Sequence, residues 1–119
     1  MKIIIHNIGS KIAEFNSNEI ILNIAQDALD LMVIASEKDT NKIILHENNI
    51  HPDFFKLKSG LAGEVLQKFV NYHIKLAIIG DFHKYTSESL KSFITESNNG
   101  NQFFFVSNTS EAIEKLKKI

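Results

Sequence analysis

Residues 74–79 read Ile-Lys-Leu-Ala-Ile-Ile and stop at Gly80-Asp81. So short and apolar a run is the mark of a strand covered on both faces, as parallel sheets are, because their crossover helices lie over the sheet. Such a strand needs helices before and after it in the chain. Upstream, Leu61, Ala62, Val65, Leu66, Phe69 and Val70 recur at helical spacing. Downstream, Leu90, Phe93 and Ile94 do the same, behind a cap at Thr86 or Ser87 and ahead of Asn98-Asn99-Gly100.

The alternation extends both ways. Lys2–Asn7 and Lys11–Phe15 are β-type runs on either side of a Gly9-Ser10 turn, which reads as a hairpin. Asn23 with Gln26 three residues on resembles a helix cap, and Ile24, Ala25, Ala28, Leu29, Met32 and Ala35 then predict a helix over 24–37. Lys42–His46 is a short buried strand, and Gln102–Val106 is the last one. Asn108 with Glu111 starts a final helix carrying Ala112, Ile113 and Leu116. The order is β-β-α-β-α-β-α-β-α, which predicts an α/β fold: one mostly parallel sheet with an N-terminal antiparallel hairpin and helices packed on it. All 119 residues are expected to form one domain, since neither a linker nor a repeat interrupts them.

Composition narrows the function classes. A net charge of −1 gives no basic face for nucleic acid or an anionic membrane. All 13 basic residues are lysine, so phosphate recognition falls to backbone amides or lysine point charges rather than to an arginine fork. The absence of cysteine excludes disulfides, thiolate catalysis and zinc–thiolate sites, and it fits a reducing compartment. The run Ile3-Ile4-Ile5 is too short for a signal sequence or a membrane span. These features predict a soluble, cytoplasmic protein with no cofactor implied.

The titratable residues concentrate in "LHENNIHPDFFKLKSGLAGE", residues 45–64. His46, Glu47, His51 and Asp53 follow the third strand, while Asp81 and His83 follow the fourth. In a parallel sheet those carboxyl ends lie side by side and form the crevice where ligands bind. Imidazoles with carboxylates there suit zinc, iron or manganese. The spacing from His46 to His51 is five, so the two do not share a helical face as the metalloprotease signature requires. Ser59 at a helix start is either a cap or a hydroxyl beside free amides. With Lys58, Gly60 and Gly63 it offers an anion cradle, although the two glycines serve close packing of the helix on the sheet equally well. Phe54 and Phe55 follow Pro52-Asp53 in a loop, where adjacent aromatics do not point the same way: either one anchors the core and the other stays accessible to a partner, or the helix at 61–72 covers both. His6 and His73 read as ordinary surface or strand-end residues.

Ser59-Gly60-Leu61, at the start of the helix after the third strand, resembles the junction of STAS-type domains, the anti-sigma-factor antagonists. That junction commonly reads Asp-Ser-Ser-Gly-Leu there, and its first serine is phosphorylated by a partner kinase. Here Leu57 and Lys58 stand at the aspartate and phosphoacceptor positions, so only Ser59 remains to carry such a switch. More specifically, "AQDALDLM", "HPDFFKLKSGLAGEVLQKFVNY" and "KLAIIGDFHKYTSESLKSFI" are similar to an uncharacterised bacterial family, domain of unknown function 4180, across essentially the whole chain. The resemblances imply a STAS-like mixed sheet and bring no activity with them.

Two readings follow. The first is a non-catalytic regulatory module binding a protein partner or a small anion around residues 46–63, through Lys58, Ser59, Gly60, Phe54, Phe55 and Asp81. The second is a small hydrolase or lyase using His46, Glu47, Asp81 and His83, with His51, as metal ligands or acid–base groups. It requires those side chains to converge on one atom. A homodimer through the edge strands Lys2–Asn7 or Gln102–Val106 is open to either reading.

Overall fold

A computed structural model describes all residues, 1–119. Five strands form one sheet in chain order: β1 (Lys2–Asn7), β2 (Lys11–Asn16), β3 (Lys42–His46), β4 (Lys75–Ile79) and β5 (Phe103–Val106). β1 and β2 pair antiparallel, turning through Gly9 at φ +96°, a conformation that glycine adopts without a Cβ penalty. The remaining pairs are parallel. The helices are α1 (Ala25–Glu37), α2 (Leu61–Asn71), α3 (Glu88–Asn98) and α4 (Thr109–Lys117). The expected α/β sheet with its N-terminal hairpin is therefore present, with shifts of a residue or two at the element ends.

Because β2 to β5 advance in one direction, right-handed crossovers put α1, α2 and α3 on one face of the sheet. Their apolar stripes meet Ala13, Phe15, Ile43, Leu45, Leu76, Ile78 and Phe105 in a core of 21 buried residues. Strand alternation sends Ile12, Ile44, Ala77, Phe104 and Val106 to the other face, where only α4 lies over them. That second core has 7 buried residues, Ile12 of β2 and Ile44 of β3 among them, and α4 packs chiefly on β4 and β5.

Local chemistry sets most boundaries. Ser87 caps α3 by accepting from the Leu90 amide at 3.2 Å. Asn108 caps α4 through the Glu111 amide at 2.9 Å, and Glu111 reaches back to the Ser107 amide at 3.0 Å. The Asn23–Gln26 cap is corrected. The Asp27 carboxylate accepts from the Asn23 and Ile24 amides at 2.8 and 3.1 Å, while Gln26 turns to Asp30 along the helix surface. An ionised acceptor at a positive helix end outcompetes a neutral amide for that place. No helix is long and apolar enough to cross a membrane.

Candidate interaction surface

The chain between β3 and α2 winds through three 3-10 turns, Glu47–Asn49, Pro52–Phe55 and Leu57–Ser59. Asn49 is buried and stitches the β2–α1 connection to them. Its carboxamide nitrogen donates to the Ser17 and Glu19 carbonyls at 2.7 and 2.8 Å, and its backbone carbonyl accepts from the Ile21 and Leu22 amides at 2.8 and 3.1 Å.

Glu47 joins this loop to the one after β4. Its side chain accepts from the Tyr85 hydroxyl, from Lys84 Nζ at 2.8 Å and from the Asp81 amide at 3.2 Å. Burial first, then the hydrogen bond to Glu47 and its charge, push the Tyr85 phenol well above its ordinary 10.0. Gly80 makes room for this arrangement, since a Cβ there would sit 2.6 Å from Glu47 Oε1. Tyr85 also stacks on Phe55 with ring centroids 5.2 Å apart. A carboxylate surrounded in this way is a loop clamp.

The side chains named for a metal or acid–base site do not form one cluster. No three His, Asp or Glu side chains are placed to hold one ion. His46 is the last residue of β3, and strand alternation turns it to the α4 face, away from the loop that Glu47 begins. The His51 ring accepts from the Asp53 amide at 3.0 Å inside its own turn, and His83 is exposed. Asp81 accepts only from the nearby His83 amide, at 3.3 Å.

Of the two placements open to the aromatic pair, the structure takes the buried one: Phe54 and Phe55 are 1% and 5% exposed. They occupy a 3-10 turn, where successive side chains stand about 120° apart rather than on opposite sides, so both wedge inward, edge-to-face with centroids 5.0 Å apart. Ser59 spends its hydroxyl on the loop, donating to the Asp53 carbonyl at 2.6 Å and accepting from the Leu61 amide at 3.2 Å. The cap residue of α2 is Gly60, at φ +83°, and Lys58 beside it is exposed. Neither Gly60 nor Gly63 packs closely, for a Cβ on either would meet nothing within 4 Å.

The sequence reading missed Glu14. It lies inside β2, 4% exposed, on the face of the sheet that carries α4. His6 Nε2 donates to its Oε1 at 2.8 Å and His46 Nε2 to its Oε2 at 2.7 Å, the only role an ionised carboxylate leaves either ring. The signal was available: Glu14 shares the parity of Ile12, and His6 shares that of Ile4, its direct partner.

The two sheet edges differ. At β5 the Asn98 side chain occupies the outer backbone, accepting from the Phe105 amide at 2.7 Å and donating to the Phe105 carbonyl at 3.2 Å. This carboxamide takes the place a neighbouring strand would fill. At β1 nothing does so. Six residues pair with β2 alone, Ile5 is 37% exposed, and every second residue turns its N–H and C=O outward.

Comparison with curated proteins and with solved structures finds no match. The model of the family described as "Domain of unknown function (DUF4180)" matches residues 7–116, and the chain belongs to that family.

Proposed function

We propose that this protein is a non-catalytic cytoplasmic interaction module that binds its partner by strand addition at β1, and that a second copy of the chain satisfies this edge. The observation that carries the reading is the contrast between the edges: β5 is closed by Asn98, whereas the longer, isoleucine-rich β1 is open. The resemblance to STAS domains, which act through protein contacts, supports the same class. With Phe54 and Phe55 inside, the loop at 46–63 offers no aromatic anchor, and the edge is the better seat.

Self-pairing has one favoured register. Two antiparallel β1 strands that continue one sheet are related by a two-fold axis perpendicular to it. An axis through Ile4 sets Ile4 against its own copy, Ile3 against Ile5, and Lys2 against His6. The Ile3–Ile5 pairs extend the larger core, to which Ile3 already adds. Light scattering on the eluting protein should give a dimer mass, and Ile5→Lys should give a monomer with unchanged circular dichroism. Because the chain has no cysteine, Ile4→Cys supplies a single thiol that should cross-link on oxidation and fail to do so when combined with Ile5→Lys. A wild-type monomer at every concentration, or a dimer untouched by Ile5→Lys, overturns the proposal.

A further inference from the structure

Lys42 opens β3, and strand alternation places its side chain on the α4 face with Ile44. It is 6% exposed. A buried ammonium ordinarily has a carboxylate against it, because its desolvation is otherwise uncompensated. Lys42 has none. Its Nζ meets the Ser10 hydroxyl at 3.1 Å and belongs to no ion pair of the protein. Its partner across the β3–β4 register is another cation, Lys75. The one buried carboxylate on that face, Glu14, has one oxygen on His6 and the other on His46. Burial and the charge of Lys75 together hold the Lys42 ammonium below its ordinary pKa.

The uncompensated charge borders a cavity. Between the β1–β2 turn and the α1–β3 connection lies a hollow of about 580 Å³, within the range of about 300–1,000 Å³ usual for small-ligand sites. None of its nine lining residues is apolar. Ser10, Ser36 and Thr40 bring hydroxyls, Asn7 and Asn41 bring carboxamides, and Lys11 brings a second ammonium. The single carboxylate in the lining, Asp39, is 90% exposed at its side chain and holds Lys11 loosely at 3.5 Å, so it is free to turn into solvent.

We propose that this hollow binds a small polyhydroxylated oxyanion, a phosphorylated or carboxylated sugar, with its anionic group against Lys42 and Lys11 and its hydroxyls against the serine, threonine and asparagine side chains. The oxyanion supplies the counter-charge that the fold withholds from Lys42. The walls, to which no apolar residue contributes, suit a ligand whose remainder is hydroxylated rather than aromatic or aliphatic. The site lies at the amino ends of the parallel strands, away from the crevice at their carboxyl ends, and it does not depend on the pairing of β1.

Amide resonances followed during titration with inorganic phosphate, glucose 6-phosphate, gluconate and glucose test the assignment. Shifts confined to residues 7–11 and 36–42 should saturate, with glucose 6-phosphate or gluconate binding more tightly than phosphate, and glucose causing none. The preferred probe identifies the anionic group as phosphate or carboxylate. Lys42→Met should weaken binding roughly tenfold, as expected for loss of one charge-assisted contact, whereas Lys42→Arg should retain most of it. Lys42→Met should also raise the melting temperature of the free protein, because it removes a buried unpaired charge. Should that variant fail to fold, Ser10→Ala, with its smaller loss of affinity, takes its place. No saturable shifts, equal binding by Lys42→Met, or neither glucose 6-phosphate nor gluconate binding more tightly than phosphate would each overturn the assignment.

Discussion

At the scale of single residues, Glu14 carries the largest consequence. An ionised carboxylate at 4% exposure is tolerated because two imidazole N–H groups, at 2.8 and 2.7 Å, replace the water it gave up. Glu14→Gln keeps the shape and removes one of the two acceptors, turning an N–H toward an N–H. The expected cost is about 1–3 kcal/mol, read as a lower urea midpoint with an unchanged slope. In a double-mutant cycle with His6→Ala the two losses should not add, since both break one network. His6, which reads as an ordinary strand-end residue, illustrates why this cluster is hard to see in a sequence. Local patterning tells which face a strand residue takes, but the partner of His46 lies 32 positions away on another strand, and no spacing encodes that register.

Elements were far more legible than the site, and the reason is the range of the forces involved. Strand Lys42–His46 and the caps at Ser87 and Asn108 follow from neighbours within four residues, and they agree with the structure. The sequence leaves the placement of the aromatic pair open, because Pro52 signals a break in regular structure without specifying the 3-10 turns that the chain makes there. Of the titratable residues at the strand ends, Glu47 clamps the loop after β4, and no three of them share an ion site. Gly80 decides this geometry. Gly80→Ala would set a Cβ 2.6 Å from Glu47 Oε1 and 2.7 Å from Glu47 Cβ, forcing the carboxylate off Tyr85 and costing about 1–3 kcal/mol. The phenol should then ionise at lower pH in an ultraviolet titration, with burial still holding part of the upward shift. In the wild type the folded state keeps that proton above 10.0 while the unfolded chain loses it. Stability from this group is therefore complete below 10.0 and declines as pH rises beyond it.

The whole molecule is asymmetric about its sheet, and its dynamics should reflect that. Three crossover helices share a core of 21 buried residues, whereas α4 rests on 7, two of which, Ala112 and Leu116, are its own. Apolar burial sets how much free energy is needed to lift an element away, and α4 buries only Ala112 and Leu116. Lifting it uncovers Ile44, Ala77 and Phe104 but leaves the larger core and the hairpin in place. Native-state hydrogen exchange should therefore show the amides of α4 opening together at a lower free energy than those of α2, whose Val65 and Phe69 are fully buried in the larger core. Leu116→Ala should cost about 2–5 kcal/mol and bring the α4 opening down with it, leaving exchange in α2 governed by global unfolding. If α2 and α4 exchanged at one common free energy, the two faces of the sheet would form a single cooperative unit.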